Sequence, residues 1–194
     1  MWHLPPSNLQ KWHLCQSQMV LDNPWCRVRR DTVQLPNGTL IDDYFVNMRP
    51  EIVMVLALTP QQEIIFVRQY RHGVQEILLE LPAGTFFPDQ ESPTAAIRRE
   101  LEEETGYQIT NLLNLGCIYD NPVKDQSRLH LFLALDVTPT GKKAWDITEE
   151  IEMVLMPIAV VREQIFSGKI RVAGSLAALL LGLEKLSSLH FPLH

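Results

Sequence analysis

The sequence contains little cysteine, no excess of positive charge and no long uninterrupted hydrophobic run. Its three cysteines, Cys15, Cys26 and Cys117, form no CxxC pair and are odd in number, so neither a disulfide framework nor a zinc site is indicated. Its 17 basic residues are outnumbered by 23 acidic ones, which gives a net charge of −6. This charge argues against broad affinity for nucleic acids or anionic membranes.

No signal peptide or transmembrane segment is indicated either. The amino-terminal stretch MWHLPPSNLQKWH lacks a basic segment followed by an apolar core. The longest apolar run, at residues 173–183, is interrupted by Gly182, is followed by Glu184 and is too short to span a bilayer. Internal repeats and low-complexity segments are also missing. These features predict a soluble, cytoplasmic protein with neither nucleic acid nor membrane as a partner.

What the chain does have is enough length and apolar content for one well-packed domain. It contains 194 residues, of which 46% are hydrophobic, so a sizeable core with a small accessory piece is expected. The accessory piece is predicted at residues 1–48 as a small antiparallel hairpin or sheet, because the extended segments 26–33 and 40–46 flank an Asn37-Gly38 turn. Since an isolated hairpin is marginally stable, we expect it to need a partner surface.

The main domain is predicted at residues 49–194 and combines strands with helices. Residues 51–59 form a near-continuous apolar run, which is typical of a buried strand. Further strands are predicted at residues 63–69, 75–81, 112–119, 128–137 and 151–156, and helices at residues 158–167 and 174–187. A set of strands with a few helices predicts an α/β (α+β) sandwich.

The strongest functional signal lies in residues 81–107, where a glycine-containing loop leads into a helix. Ser92 is suited to the N-cap, Pro93 to the first helical position and Gly106 to a left-handed C-cap. Ile97 and Leu101 form an apolar stripe that would pack onto a sheet. The sequence thus predicts an amphipathic helix between residues 92 and 106.

Three glutamates of this helix share one face. At about 100° per residue, Glu100, Glu103 and Glu104 lie on one arc, whereas Glu102 points nearly the opposite way. At ~6 Å and an effective dielectric of ~20, each pair of carboxylates costs on the order of 3 kcal/mol unless a positive group lies among them. Mg²⁺ is held in proteins by a few carboxylates together with substrate phosphates. A solvated acidic face is the ordinary alternative, but the preceding glycine loop favours a metal site.

The spacing of these residues resembles the signature of the Nudix hydrolases, G-x5-E-x7-R-E-U-x-E-E-x-G-U, in which U is an apolar residue. Residues 99–107, RELEEETGY, match the second half at every fixed position. In the first half, six residues rather than five separate Gly84 from Glu91. Either the loop at residues 85–90 carries one extra residue, or Gln90 takes the place of the glutamate.

This resemblance implies a Nudix-type α/β/α sandwich with a mixed sheet, preceded by the small N-terminal antiparallel sheet. It also implies that Mg²⁺ or Mn²⁺ is held by Glu100, Glu103, Glu104 and the backbone carbonyl of Ala83. Arg99 is expected to orient one of the glutamates through a charge-assisted bond. Glu103, Glu104 and Arg99 would then belong to the catalytic machinery.

Segments outside the signature look like the subgroup that hydrolyses ADP-ribose and related nucleoside diphosphate sugars. These are RQYR at residues 68–71, ELPAG at residues 80–84 and a proline 15 residues after Tyr107. The resemblance implies that the substrate is bound by Arg68, Arg71, Glu80 and Pro122. For the two arginines, an ordinary strand-end charge is an equal alternative.

The general base is expected in the acidic run at residues 146–150. Glu149 and Glu150 precede a predicted strand, as the corresponding loop does in relatives. Metal ligation is an alternative role for Glu149, and a solvated acidic turn is the alternative for both. Ser127 stands where some relatives have a glutamate, and His130, on a predicted strand, is expected to be a hydrogen-bonded core histidine rather than a catalytic group.

Aromatic residues of the N-terminal sheet have two interpretations. Trp25, Tyr44 and Phe45 are expected to serve packing, and stacking of one such ring on an adenine is the alternative. The family resemblance also implies that this sheet exchanges between subunits. We therefore expect a homodimer that forms through the N-terminal sheet.

Together these features predict metal-dependent hydrolysis of the pyrophosphate bond of ADP-ribose or a related nucleoside diphosphate sugar. The substrate would be a small nucleotide, and the products a nucleoside monophosphate and a sugar phosphate. Cleavage of NADH, FAD or a dinucleoside polyphosphate is the alternative, because the same signature serves all of these reactions. A non-catalytic sensor of ADP-ribose or another nucleotide is a further alternative, which the complete set of helix glutamates disfavours.

Overall fold

The computed structural model describes residue 3, residues 5–141 and residues 150–191. The chain divides into two compact units. The first consists of the part before Pro50 together with Asn121–Gln126, and the second of the remainder from Pro50 onward. The division that the sequence suggested at residue 48 stays a prediction of domain organisation. Nothing in the sequence indicated that the segment Asn121–Gln126, from the middle of the chain, belongs to the first unit.

The first unit contains a three-stranded antiparallel sheet in the order β1-β2-β3, formed by β1 (His13–Asn23), β2 (Cys26–Gln34) and β3 (Leu40–Asn47). The predicted hairpin is confirmed as β2 and β3, and Gly38 lies in its turn at φ = +88°, a conformation that favours glycine. Strand β1 was not predicted. All of its residues are exposed, so it lacks the regular alternation by which a half-buried strand is recognised.

Aromatic residues of this sheet are more exposed than expected. Trp25 is 82% exposed at the turn between β1 and β2, and Phe45 is 42% exposed on β3. The expectation of packing is therefore wrong for Trp25 within the single chain, whereas more than half of Phe45 is covered. Tyr44 meets the ring of Trp12 edge-on at a centroid distance of 5.7 Å. The side chains of this sheet are exposed because the described part of the first unit contains no helix or second sheet that could cover the strands.

The second unit is built on a seven-stranded mixed sheet in the order β12-β5-β4-β10-β9, to which β6 is added beside β5 and β7 beside β4. Strands β4 and β10 run parallel, and the other pairs are antiparallel. The strands are β4 (Glu51–Leu58), β5 (Glu63–Arg71), β6 (Glu76–Glu80), β7 (Ala83–Phe86), β9 (Asn111–Tyr119), β10 (Arg128–Leu135) and β12 (Glu152–Pro157). A separate two-stranded pair is formed by β8 (Tyr107–Gln108) and β11 (Thr138–Pro139).

Helices cover both faces of the large sheet. They are α1 (Pro93–Thr105), α2 (Ile158–Phe166) and α3 (Ala173–Ser188). Strand β4 shows the layering, because Val53 and Val55 pack into the cluster that contains Ile97 of α1. The alternate residues Met54 and Leu56 pack into the cluster that contains residues of α2 and α3. The predicted α/β/α sandwich with a mixed sheet is thus confirmed, and β4 is apolar from Ile52 to Leu58 because both of its faces are buried there.

The structure contains two strand pairings that the sequence did not predict. Residues 83–86, expected to be loop, form β7 and pair with β4 in the register Gly84↔Val53. The short pair β8 and β11 was also not predicted, since two-residue strands carry no periodic signal.

None of the helices in the described ranges is both long and apolar enough to cross a membrane.

Candidate active site

Helix α1 begins and ends as the sequence predicted. The Oγ atom of Ser92 accepts a hydrogen bond from the N–H of Ala95 at 3.2 Å, and Pro93 occupies the first turn. Gly106 lies at φ = +74° and donates its N–H to the carbonyl of Glu102. Leu101 is fully buried against the sheet, which fixes the rotation of the helix about its axis.

Strand β7 runs beside this helix, and the neighbouring residues Ala83 and Gly84 meet side chains of α1 that are about one helical turn apart. The N–H of Ala83 donates to Oε2 of Glu104 at 3.2 Å. A Cβ atom added to Gly84 would lie 1.8 Å from Cδ of Glu100, far inside any real contact distance. The carboxylate of Glu100 therefore lies directly over the glycine backbone, which explains why this position needs a residue without a side chain.

Arg99 lies among the carboxylates of the site. Its guanidinium donates to Glu91 at 2.6 Å, to Glu100 at 2.8 Å and to Glu103 at 3.0 Å. The hydrogen bond to Glu91 is the largest cause that raises the pKa of Arg99, and the bonds to Glu100 and Glu103 add to it. Arg99 offsets the repulsion between the glutamates and provides the orienting bond expected from the sequence.

The structure also distinguishes between Glu91 and Gln90. Glu91 accepts the bond from Arg99, whereas Gln90 is exposed and donates its backbone N–H to the carbonyl of Phe87. The N–H of Glu91 donates to the same carbonyl. A tight turn after Phe87 therefore accommodates the additional residue of the loop. Glu91, rather than Gln90, is the residue that contacts the helix through Arg99.

The donor chemistry of this site fits a hard divalent cation. Carboxylate oxygens such as those of Glu100, Glu103 and Glu104, and backbone carbonyls such as that of Ala83, are the ligand type that Mg²⁺ and Mn²⁺ take. Within the described ranges, no three His, Cys, Asp or Glu side chains are arranged so that they could hold a metal ion as they stand. In this arrangement Glu100 and Glu103 are instead bound by Arg99.

The predicted substrate-binding residues on β5 and β6 form ion pairs. Arg71 donates through Nε and Nη2 to the two carboxylate oxygens of Glu80, both at 2.8 Å. The side chain of Glu80 is only 5% exposed, so this bidentate bond holds the arginine in a defined orientation. Arg68 pairs with Glu152 of β12 at 3.0 Å, and both of these side chains are largely exposed.

The remaining predicted residues belong to other parts of the chain. Pro122 lies in an exposed turn that belongs to the first unit. Glu150 is exposed and lies outside any helix or strand, while Glu149 falls outside the described residues. Ser127 is buried, and its Oγ is the one buried side-chain oxygen or nitrogen in the described ranges without a hydrogen-bond partner.

Sequence reasoning missed a charged cluster at the start of β4 and β10. Glu51 accepts from Nε and Nη2 of Arg128 at 2.8 and 2.5 Å, and its other oxygen lies 2.5 Å from Nε2 of His130. The ring of His130 meets Phe86 of β7 edge-on. The expected hydrogen-bonded histidine is therefore present. Its partner could not be found from the sequence because Glu51 and His130 meet only through strand pairing.

The electrostatics of Glu51 follow from these contacts. Burial alone would raise the pKa of Glu51, but hydrogen bonds from His130 and Arg128 and the charge of Arg128 outweigh it. The pKa of Glu51 consequently lies below its ordinary value. The hydrogen bonds to Glu51 and the charge of Glu51 raise the pKa of Arg128.

Comparison with known families identifies both parts of the chain. Residues 48–173 match the family described as the NUDIX domain. The chain belongs to the Nudix family. Residues 12–47 match a second family, described as the nucleoside diphosphate sugar hydrolase N-terminal domain. The Nudix match covers the large sheet, β7 and α1, so it includes the whole cluster around Arg99.

Individual Nudix relatives agree with this assignment. The chain is 35% identical to an ADP-ribose pyrophosphatase of Bacillus subtilis over 58% of its own length and 60% of that protein. It is 30% identical to an ADP-ribose pyrophosphatase of Mycobacterium tuberculosis, over 77% and 74% of the two lengths. A crystal structure named ADP compounds hydrolase is similar with a TM-score of 0.83 and 25% identity, over 95% of this chain and 98% of that one. The chain thus spans less than two thirds of the Bacillus subtilis relative.

Proposed function

We propose that this chain is a metal-dependent Nudix hydrolase that cleaves the pyrophosphate bond of ADP-ribose or a related nucleoside diphosphate sugar. The observation that carries the proposal is the seating of the Glu100 carboxylate over Gly84, beside Arg99 and the other helix glutamates. The substrate class is supported by relatives named ADP-ribose pyrophosphatase and by the match of residues 12–47 to the nucleoside diphosphate sugar hydrolase N-terminal domain.

The charge of the substrate explains the need for this cluster. Pyrophosphate oxygens repel an incoming nucleophile, so hydrolysis requires positive charge and a correctly placed water. Mg²⁺ or Mn²⁺ held by Glu100, Glu103, Glu104 and the Ala83 carbonyl would supply that charge and lower the pKa of a bound water. The chain's own part is orientation, because Ala83 N–H positions Glu104 and Arg99 positions Glu100 and Glu103.

The reaction adds water across one phosphorus–oxygen bond. Oxygen from the water bonds to one phosphorus, the bond from that phosphorus to the bridging oxygen breaks, and a nucleoside monophosphate and a sugar phosphate leave. The proton of the water passes to a general base, for which Glu149 and Glu150 are the proposed candidates. Replacing each of them separately by glutamine and measuring the pH dependence of kcat tests this assignment, since loss of the base removes the acidic limb of the profile.

The arginines of β5 are proposed to bind the substrate phosphates. Glu80 holds Arg71 through two hydrogen bonds, so the guanidinium is oriented before a phosphate arrives. Among the described residues, Arg68 pairs with the exposed Glu152, and such surface pairs contribute little stability that a substrate anion would have to replace. Pro122 is proposed as a further substrate contact. An Arg71→Lys variant that retained the KM of the unchanged chain would contradict the proposed role of Arg71.

We also propose that the chain forms a homodimer through its N-terminal sheet and acts in the cytoplasm. Strand β1 is exposed along its entire length, and a long edge strand with exposed apolar residues favours pairing with another chain. Light scattering of the purified protein at micromolar concentration tests the dimer, and a monomeric mass would contradict it.

The proposed reaction is tested with a panel of substrates. We would measure products from ADP-ribose, ADP-glucose, GDP-mannose, NADH, FAD and diadenosine polyphosphates, each with Mg²⁺ and with Mn²⁺. Glu103→Gln and Glu104→Gln should lower turnover by more than about 100-fold, because even residues that merely support metal ligands contribute about 10–100-fold. Glu102→Gln is the matched control, since Glu102 belongs to the same helix but points away from the other three.

Each outcome of the panel separates one interpretation from another. Turnover of ADP-ribose or a nucleotide sugar, lost in the two glutamate variants and kept in the control, supports the proposal. Turnover confined to NADH, FAD or the dinucleoside polyphosphates contradicts the substrate class. If ADP-ribose raises the melting temperature and no substrate is hydrolysed, the chain is a sensor rather than an enzyme.

A further inference from the structure

The loop Asn121–Gln126, which connects β9 to β10, depends on the N-terminal sheet for its conformation. Within the loop, the N–H groups of Lys124 and Asp125 donate to the carbonyl of Asn121 at 3.1 and 2.8 Å, which forms a single turn. The residues from Asn121 to Lys124 are exposed. An exposed surface turn of this kind commonly has several conformations, so contacts with other segments decide which one it adopts.

Asp125 is the buried residue that attaches this loop to β3. It is 8% exposed, and its two carboxylate oxygens accept from Nδ2 of Asn47 at 2.7 Å and from Nη1 of Arg49 at 2.9 Å. The backbone continues the same contact, because Asn47 N–H donates to the carbonyl of Lys124 at 2.7 Å. Asn47 and Asp125 also form an isolated parallel β-bridge.

Contacts on both sides of Asp125 strengthen the attachment. The hydroxyl of Tyr44 donates to the carbonyl of Val123 at 2.7 Å, and the ammonium of Lys124 lies 5.2 Å from the centre of the Tyr44 ring. On the other side, Nη1 of Arg29 donates to Oε1 of Gln126 at 2.8 Å. Side chains of both β2 and β3 therefore hold the backbone or the side chains of the loop at residues 123–126, and Pro122 directly precedes these positions.

We propose that Tyr44 and Asn47 of the N-terminal sheet, with Arg49 two residues after it, are positioning residues that select the substrate, because they set the conformation of the Asn121–Gln126 loop. This inference rests on the proposed function, in which Pro122 of the loop contacts the substrate. It assigns to the sheet a role within the single chain, in addition to its proposed role in the dimer. The affected quantity is the relative preference among nucleoside diphosphate sugars rather than the rate of bond cleavage, since none of the three residues belongs to the glutamate cluster.

The experiment compares two variants with a matched control. In Asp125→Asn, one carboxamide oxygen replaces two carboxylate oxygens, so only one of the two donors, Asn47 and Arg49, keeps its acceptor. Tyr44→Phe removes a single hydroxyl and retains the ring, which keeps the test valid if the first variant fails to fold. The control is Asp42→Asn on β3, where an exposed aspartate pairs with Arg30 and does not contact the loop.

Two measurements are made on each protein. Hydrogen–deuterium exchange should show faster exchange of the Asn47 amide, which donates to Lys124, in Asp125→Asn and Tyr44→Phe and not in Asp42→Asn. Steady-state kinetics with ADP-ribose, ADP-glucose and GDP-mannose should show KM values that rise by about tenfold and to different extents for the three substrates, with kcat little changed, because an unpositioned loop loses orientation rather than chemistry.

The result that overturns the inference is equally defined. If both variants retain the ratios of kcat/KM among the three substrates, as Asp42→Asn does, the sheet does not select the substrate, even where exchange at Asn47 is faster. An equal fall of kcat for all substrates would also overturn it, since that pattern indicates general destabilisation of the site. If the unchanged chain hydrolyses none of the three, the proposed function fails first and this inference fails with it, which is distinguishable from an active chain with unaltered ratios.

Discussion

Gly84 shows how a single residue determines the geometry of the site. The carboxylate of Glu100 packs directly against the backbone of Gly84, and a Cβ atom on this residue would lie only 1.8 Å from Cδ of Glu100. Glu100 is also bound by Arg99, so a shift of this glutamate would disturb the bonds to Glu91 and Glu103 as well. The absence of one methyl group therefore supports the arrangement of several charged side chains.

We expect Gly84→Ala to reduce activity more than stability. The atom that meets the new methyl group is at the end of a flexible side chain, so Glu100 can rotate away and the fold is retained. A carboxylate displaced by about 1 Å costs on the order of 100-fold in rate when it positions the reaction. The control is Gly73→Ala, where the added Cβ would meet nothing within 4 Å. Measurements of kcat and of the melting temperature decide the outcome, and a fully active Gly84→Ala variant would contradict the proposed role of Glu100.

The pairing of strands brings polar groups together at the element scale. Strand β7 pairs with β4 opposite Val53 and Met54, which places Gly84 and Ala83 beside α1. At the start of β4, Glu51 forms hydrogen bonds with Arg128 and His130 of β10. Because β4 and β10 are parallel neighbours, this ion pair supports the region of the sheet that carries β7.

We expect Glu51→Gln to destabilise the fold in a pH-dependent way. The pKa of Glu51 is lowered in the folded chain, so the carboxylate contributes stability above its unfolded pKa of about 4.3, and this contribution is lost as the pH falls below that value. Loss of the charge-assisted bonds should cost about 1–2 kcal/mol at neutral pH. Urea denaturation between pH 3 and pH 8 measures the difference between the two proteins.

A surface glutamate provides the comparison for this experiment. Glu152→Gln removes an exposed partner of Arg68, and such pairs contribute about 0–1 kcal/mol. The expected result is a difference for Glu51→Gln that is largest at neutral pH and shrinks toward pH 3. A difference that stays constant across the pH range would show that lost packing, rather than lost charge, is responsible.

At the scale of the whole molecule, the chain consists of two units with different burial. The second unit encloses a seven-stranded sheet between helices, and its central strands are mostly buried. The first unit is a three-stranded sheet whose strand β1 is exposed from end to end. A sheet of this size with exposed apolar side chains gains stability when a second surface covers it, which is the physical basis of the proposed dimer.

We expect charge on β1 to convert the dimer to a monomer. Met19 and Leu21 are exposed apolar residues of this strand, so their replacement by lysine should leave the single chain folded and disfavour contact with a second copy. Leu180→Lys, on the exposed side of α3, is the control and should leave the dimer intact. Light scattering and the melting temperature are measured together. If the double variant remained dimeric, β1 would not form the interface and the proposal would be contradicted.

The family signature and its helix could be read from the chain because their signals are local. The caps Ser92 and Gly106 lie at the ends of one helix, and the positions of Glu100, Glu103 and Glu104 follow from its periodicity. Apolar strands such as β4 are equally recognisable. Strand β1 escaped prediction because an exposed strand has no apolar face to mark it.

The sequence by itself determined the helix, the face that its glutamates share, the buried strands and the family. The tertiary structure alone decided that Glu91 rather than Gln90 meets Arg99, that Glu100 lies over Gly84, and that the Asn121–Gln126 loop is attached to β3. The physical reason is distance along the chain. Helix caps and periodicity act between residues a few positions apart, whereas these contacts depend on strand pairings and turns that bring distant residues together.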